Sequence, residues 1–299
     1  MNIPVLHVEE RSLAKAYEEA LKKLYKYGIN IKTQYDKDGD PKSIDATMNI
    51  TILYPFSEPM IHKAFPAGIE DLREYVMELE GVKDHWVKNM NDLEDTRWEY
   101  TYHQRLADWG TWFEKRPPYR RQKMSYNYNH GTINQIEQVV NKLAVKLYTR
   151  RAQMITWMPF MDNKVEDSPC LQSLWYRIIE HNDDKYLNCN VRFRSNDAWG
   201  AFFMNAFGII HFNKNLIMDK LQELGVKNMK MGRLNWQADS WHIYGKDIKT
   251  FKERFYDRLY TTSFDERTYN FSDSLIQEIW KESETNIKKK IKEYDKTHV

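Results

Sequence analysis

Four short segments of this chain combine residue types that could do chemistry together. The first is Ser168-Pro169-Cys170. Pro159, Pro169 and the acids between them predict an extended loop that delivers the cysteine to a strand entrance, where a thiol can face a cleft. A lone cysteine serves equally well as a small buried hydrophobe. The second is Arg194-Ser195-Asn196-Asp197, after a predicted strand and before a long apolar helix. A guanidinium, a hydroxyl and helix-start N–H groups suit a phosphate; the alternative is a surface Arg194–Asp197 ion pair with Ser195 as helix cap. Asn205 lies eight residues past Asp197, about two helical turns further along. The third is Asp239-Ser240-Trp241-His242-Ile243-Tyr244. On a strand His242 and Tyr244 face the same way and can either hydrogen-bond a sugar hydroxyl or form a satisfied core pair. The fourth is Thr149-Arg150-Arg151, adjacent arginines that are either solvated or able to grip a phosphate bidentately.

The elements that must position these groups follow from periodicity. Leu13, Ala16, Tyr17, Ala20, Leu21 and Leu24 predict a helix over 10–27, stopped by Gly28. The spacing predicts further helices over 69–80, ending at Gly81, and over 133–148, capped by Asn134 or Thr132. An apolar helix is predicted over 198–216 and a charged one over 273–294. β-Branched or alternating runs predict strands at 47–54, 152–157, 174–179, 187–193 and 236–244. Loops fall at 36–43, 116–119 and 162–168, and none has the composition of an interdomain linker. Mixed strands and helices imply one α/β-type domain over 1–299.

Composition narrows the class. The chain is 41% hydrophobic and 29% charged, which fits a folded globular protein. A net charge of +2 gives no support to a general polyanion binder. Two cysteines, Cys170 and Cys189, make no disulfide framework and lack metal-site company. With no secretory signal and no long apolar run, the expectation is a cytoplasmic, soluble protein. Aromatic residues make up 14% and can fill a core, an interface or a pocket for a flat ligand.

Together and in this order, the segments resemble the thymidylate synthase superfamily, from about residue 70 to 247. The resemblance rests on Arg150-Arg151 after a helix, Trp157-Met158-Pro159, Pro169-Cys170, Arg194-Ser195-x-Asp197 with Asn205, and His242-x-Tyr244. It implies an α/β (α+β) fold with a large mixed β-sheet flanked by helices, two subunits packing sheet to sheet in a homodimer. It implies that Cys170 attacks C6 of a pyrimidine and that Arg194 and Ser195 hold its phosphate. Arg150 and Arg151 would reach a partner's phosphate, Asn205 would read the base, and His242 and Tyr244 would meet the 3′-hydroxyl. Asp197 would contact folate. Glu74, seven residues before Gly81, matches the family's catalytic glutamate, and Tyr100 or Tyr102 the tyrosine near the C5 proton. The implied substrates are a pyrimidine nucleoside monophosphate and 5,10-methylenetetrahydrofolate, with no metal, membrane or nucleic acid required.

The chemistry is coherent with those residue types. A thiolate adding at C6 turns C4–C5 into an enolate that is nucleophilic at C5, and arginines nearby would favour the thiolate. Charge collecting on O4 needs a donor or proton shuttle, a role that suits Glu74 through water. The Asn205 amide can donate to O4 and accept from N3–H, which favours dUMP over dCMP. Departures concentrate on the folate side. Leu171 follows Cys170 where the mainstream synthases have histidine, and an extra residue separates Asp239 from His242. The Trp-rich segment is not recognisable, although Trp86, Trp98 and Trp109 lie in that region. Lys32 and Lys42 are the candidates for the phosphate-loop arginine, and the chain closes on Thr297-His298-Val299 without an apolar tail. A methyl product giving dTMP and a hydroxymethyl product from dUMP, dCMP or CMP both remain open. A nucleotide- or RNA-binding relative without turnover and a structural dimer module are the non-enzymatic readings.

Overall fold

The computed structural model describes residues 2–88, 94–109 and 133–298. The expected loop at 116–119 and the alternative cap Thr132 lie outside them. Strand β1 (Val5–Glu10) leads into helix α1 (Leu13–Tyr27), followed by strands β2 (Ile29–Ile31) and β3 (Ser43–Ile52). After β4 (Ile61–His62) come helices α2 (Ile69–Leu79), α3 (Tyr102–Ala107) and α4 (Gln135–Val145). Strands β5 (Ala152–Ile155), β6 (Leu171–His181) and β7 (Asp184–Asp197) precede helix α5 (Phe202–Phe212). Helical winding continues from α5 through Asn213–Met218 and Asp219–Glu223; strand β8 (Met229–Ile243), short helical turns between Gly245 and Arg267, the short β9 (Thr268–Tyr269) and helix α6 (Ser274–His298) follow.

One seven-stranded sheet runs β1-β3-β8-β7-β6-β5, with β2 also on β3. It is mixed: β1 runs parallel to β3 and β7 to β8, and the other pairs are antiparallel. Strands β1 and β2 divide one edge of β3, because β1 pairs with Thr47 to Ile52 and β2 with Ser43 to Asp45. The β6–β7 hairpin turns on Asn182 and Asp183, whose φ values of 47° and 66° are the left-handed pair that suits a tight two-residue turn.

One sheet face is covered by helices. Leu174, Tyr176, Val191, Phe193, Leu234 and Trp236 are buried there, with Phe202 of α5 edge-on to Trp236 at 5.2 Å and to Trp241 at 5.4 Å. Helix α1 seats Leu13, Ala16, Tyr17, Ala20, Leu21 and Leu24 fully buried against this core; burying each leucine contributes roughly 2 kcal/mol. The opposite face alternates in phase, leaving Trp175, Arg177, Tyr186, Asn188, Met231 and Arg233 half-buried. Among the described residues no helix is long and apolar enough to cross a membrane.

Several expected bounds shift for physical reasons. Helix α1 starts at Leu13 because Ser12 caps it, its hydroxyl accepting from the Lys15 N–H, and the residues before it form β1. Asn134 caps α4 by accepting from the Glu137 N–H at 3.0 Å. Strand β7 continues through Arg194-Ser195-Asn196-Asp197, so this segment is strand and Ser195 is no helix cap; α5 begins at Phe202, and Asn205 sits in its first turn. Strand β8 starts at Met229, earlier than its apolar alternation suggests, because β7 pairs with it from Lys185 onward. Pro159 opens a short helical turn, Pro159–Asp162.

Candidate active site

Cys170 sits immediately before β6, half-buried. Its carbonyl accepts from the Arg194 N–H at 2.9 Å across the β6–β7 pairing. The Arg194 guanidinium curls back onto the same loop: Nε donates to the Pro169 carbonyl at 3.1 Å, and Nη2 to Ser168 O at 2.7 Å and Oγ at 3.0 Å. The guanidinium carbon also lies 5.8 Å from the Trp157 ring centroid. No Arg194–Asp197 pair forms. Nη1 makes no hydrogen bond among the described residues and is free to meet an anion. Burial pushes the Cys170 thiol above the usual range, the Arg194 charge pulls it down, and Asp167 opposes that pull. The expected easy ionisation is therefore not a property of the free protein, because desolvation outweighs the nearby cation.

Tyrosines surround the thiol. The Tyr102 hydroxyl accepts from the Leu171 N–H at 3.3 Å, and the Tyr100 and Tyr102 rings lie 5.6 Å apart. Burial raises the hydroxyls of Tyr75, Tyr100, Tyr102 and Tyr244, and negative charge on Cys170 adds to that rise in all four. These hydroxyls thus stay protonated at neutral pH, and each lies near enough to Cys170 to feel its charge. Beneath them Arg105 is buried, bonded to both Asp162 oxygens at 2.9 and 3.2 Å and to the Thr156 carbonyl at 3.2 Å. Asp162 in turn accepts from the Met158 N–H at 2.6 Å, which fixes the Trp157-Met158-Pro159 turn under Arg194.

Asn205 is buried with both ends of its amide engaged. Its Oδ1 accepts from Asn196 Nδ2 at 3.0 Å, and its Nδ2 donates to the Tyr75 hydroxyl at 2.8 Å. Helix α2 approaches closely enough for this bond because residue 208 is glycine: a Cβ there would fall 2.5 Å from the Tyr75 ring. Tyr75 accepts from Asn205, so its own proton remains for a ligand.

Glu74 precedes Tyr75 on α2 and pairs with Lys83 at 2.5 Å; Lys83 also reaches Glu78, one turn along, at 3.2 Å. The Lys83 side chain is only 6% exposed, with its ammonium 5.4 Å from the Trp86 ring centroid and 5.2 Å from that of Trp98. Gly81, at φ 95°, lets the chain reverse between Glu78 and Lys83, and the His103 ring fills the space where a Cβ would sit. His103 Nδ1 lies 2.6 Å from Asp84, and the Thr101 hydroxyl donates to Asp84 at 2.5 Å, which ties the turn after α2 to the Tyr100-to-Tyr102 segment. Among the described residues no hydrogen bond joins Glu74 directly to Cys170.

At the far end of β8, His242 and Tyr244 have ring centroids 4.5 Å apart, and Tyr35 of the 36–43 loop approach stands edge-on to Tyr244 at 5.7 Å. The Asp197 Oδ1 accepts from the Trp199 and Gly200 N–H groups at 3.0 and 2.8 Å, leaving Oδ2 without a hydrogen bond among the described residues. Burial raises the Asp197 pKa against those two bonds. Ser195 is half-buried beside Ser240 in the β7–β8 register. Arg150 and Arg151 are exposed, their backbone held by Trp175 Nε1 on the Arg150 carbonyl and Thr149 Oγ1 on the Arg151 N–H. They stand apart from the cluster around Cys170, with no bond to it. Tyr75 and Lys83 escape sequence reasoning: Tyr75 reads as one more apolar position of α2, and nothing in the order Gly81-Val82-Lys83 marks a buried ammonium.

The arrangement offers a thiol, a ring of phenol donors, a fixed carboxamide, a carboxylate–ammonium pair and a cation at the cysteine loop. Comparison with known proteins gives the same direction. The thymidylate synthase family model matches residues 67–286. A Methanocaldococcus jannaschii protein described as "Putative thymidylate synthase" is 30% identical over 257 residues, covering 84% of this chain and 96% of its own length. One of the same description from Methanococcoides burtonii is 26% identical, over 80% of this chain and 90% of its own. The thermostable thymidylate synthase A of Bacillus subtilis shares the fold, with a TM-score of 0.56 at 18% identity over 82% of this chain and 84% of its own. The chain belongs to the thymidylate synthase family.

Proposed function

We propose that this chain transfers a one-carbon unit from 5,10-methylenetetrahydrofolate to C5 of a pyrimidine deoxynucleotide, dUMP by preference, and yields dTMP. The observation that carries the reading is the convergence on Cys170 of Arg194, the four phenols and the Tyr75–Asn205–Asn196 chain. The Cys170 sulfur adds to C6 and the electron pair moves to O4. A dianionic phosphate near Arg194 and Ser195 would satisfy the free Nη1 and close the loop around the thiol. The Tyr75 proton, left unassigned by its bond from Asn205, suits O4 as charge accumulates there. Glu74, held by Lys83, relays protons to and from the base, and Tyr100 or Tyr102 stands by the C5 proton.

The folate would supply the one-carbon unit and, for a methyl product, the hydride. Asp197 fits a pterin edge, which presents N–H donors, because Oδ1 takes both backbone bonds and Oδ2 accepts none among the described residues. The half-exposed polar sheet face suits a second copy of the chain, and Arg150 and Arg151 would extend across that boundary to its phosphate. A hydroxymethyl product is the second reading. Glu74 retains 35% exposure in its pair with Lys83, and a solvated ion pair orders water of the kind that would trap an exocyclic methylene.

Incubation with dUMP and 5,10-methylenetetrahydrofolate, with dCMP and CMP in parallel, tests this by mass spectrometry of both products. Expected is dTMP with dihydrofolate, and a hydroxymethyl nucleotide with tetrahydrofolate would select the second reading. No product from any nucleotide would overturn both.

A further inference from the structure

The extra residue between Asp239 and His242 is absorbed as a β-bulge. On β3, Ala46 pairs with Trp241 and Met48 with Ala238, so Thr47 alone opposes two residues, its hydroxyl donating to the Asp239 carbonyl at 2.8 Å. The bulge turns the Asp239 carboxylate away, onto Arg192 at 3.0 Å. The polar partner of His242 is instead Ser240, whose Oγ lies 3.1 Å from Nδ1 and donates to Asp45 Oδ2 on β3 at 2.9 Å.

Proton counting fixes the directions. A carboxylate only accepts, so the single Ser240 proton goes to Asp45. The Ser240 oxygen must then accept at its other contact, which places a proton on His242 Nδ1. Burial lowers the His242 pKa, against the charges of Asp197 and Asp45, so the ring is neutral at neutral pH and carries only that one proton. Its Nε2 is therefore a bare acceptor, and it is buried without a partner. The other end of the relay, Asp45 Oδ1, is likewise buried and unpaired. A buried polar atom left unpaired destabilises the free protein, so a donor arriving at Nε2 recovers that loss.

We propose that Asp45 and Ser240 are positioning residues that hold His242 as the Nδ1–H tautomer, so that Nε2 recognises a ligand hydroxyl acting as donor. This rests on the reading of His242 as part of the nucleotide site, where the 3′-hydroxyl of the sugar is that donor. Ketone, ether or 3′-deoxy analogues offer no proton at this point and are rejected.

The tautomer is measured directly on the full chain labelled with ¹⁵N-histidine, using two-bond ring correlations assigned by loss of signal in His242→Gln. Wild type is expected to show Nδ1–H. In Asp45→Ala no side-chain acceptor remains beyond Ser240, whose hydroxyl turns its proton onto Nδ1 and drives the ring proton to Nε2. Nε2–H in wild type, or an unchanged tautomer in Asp45→Ala, would overturn the relay. Binding of dUMP against 2′,3′-dideoxyuridine 5′-monophosphate gives the second readout: roughly tenfold preference for dUMP in wild type and none in Asp45→Ala. A wild type that binds dUMP without that preference also overturns the proposal. Failure of wild type to bind either nucleotide overturns the nucleotide reading, while the ring correlations still decide the relay.

Discussion

Lys83→Met is the most informative perturbation of the site. Methionine keeps the apolar stem between the Trp86 and Trp98 rings and deletes only the ammonium. Two ion pairs, at 2.5 and 3.2 Å, are lost together with two ring contacts at 5.4 and 5.2 Å. Glu74 and Glu78, four residues apart on α2, then face each other without a counterion. Removing one partner of a buried pair costs about 3–5 kcal/mol. Glu74 is 35% exposed and Glu78 20%, so water takes over part of the role and about 2–3 kcal/mol is the appropriate figure. For a chain this long that lowers Tm by about 6 °C. Glu74 loses the contact that sets its rotamer, and a displacement on the scale of an ångström lowers kcat roughly 10–100-fold. The nucleotide KM should stay within a factor of about three, because Asn205, Arg194 and His242 are untouched. Steady-state kinetics of Lys83→Met, Glu74→Gln and the double variant decide the matter. If Lys83 acts through Glu74, the lysine change does nothing further in the Glu74→Gln background. Additive losses in kcat, or an unaltered kcat in Lys83→Met, would refute the reasoning.

Alkylation of Cys170 in the free protein should accelerate about tenfold per pH unit above neutrality, because only the thiolate reacts and burial holds the thiol above its usual range. Cys189, buried and pushed up to about 12, should not compete in mass-spectrometric mapping, and a pH-independent rate at Cys170 would contradict the burial argument. Cys170→Ala should fold and keep the wild-type oligomeric state with no turnover, checked by circular dichroism and scattering; unfolding would assign the residue a packing role. Asn205→Asp should move preference from dUMP toward dCMP, read as the ratio of kcat/KM, and an unchanged ratio would remove Asn205 from base reading. Glu18 is buried and, against its own desolvation, held at about 2 by His62, Lys15 and Arg267. Its pKa is lowered, so its contribution is complete above the ordinary carboxylate range and is lost as pH falls toward 2. That amounts to about 3 kcal/mol, visible as a pH-dependent urea midpoint that flattens in Glu18→Gln; equal slopes would show that the network contributes nothing.

Most of the architecture was legible in local patterns, because long amphipathic helices and alternating strands announce themselves through period. Helices α1, α2, α4 and α6 lie where Leu, Val and Ile recur at helical spacing; Gly81 marks one end through its φ of 95°, and Gly28 another where a Cβ would fall 2.6 Å from Ile44 and from the Leu24 carbonyl. Strand β1 and the first half of β8 were not legible. Their side chains carry a mixed pattern, and their strand character comes from pairing with β3 and β7, partners distant in sequence. The order of chemical residues likewise pointed to the family before any coordinates, since Cys170, Arg194, Asn205 and His242 are few, polar and spaced in a specific way.

What those residues touch was decided only by the tertiary structure. Arg194 was expected at a phosphate, and the fold also wraps it around the cysteine loop, because β6 and β7 pair next to it. Tyr75 and Lys83 enter the site through a glycine on a facing helix and a reversal at Gly81. Asp45 reaches His242 through Ser240 because one inserted residue becomes a bulge and rotates Asp239 out. A sequence records which groups are present and their local period. Hydrogen-bond partners separated by more than a hundred residues, such as Tyr75 with Asn205 and Asp45 with Ser240, follow from sheet register and helix approach, which no local window contains.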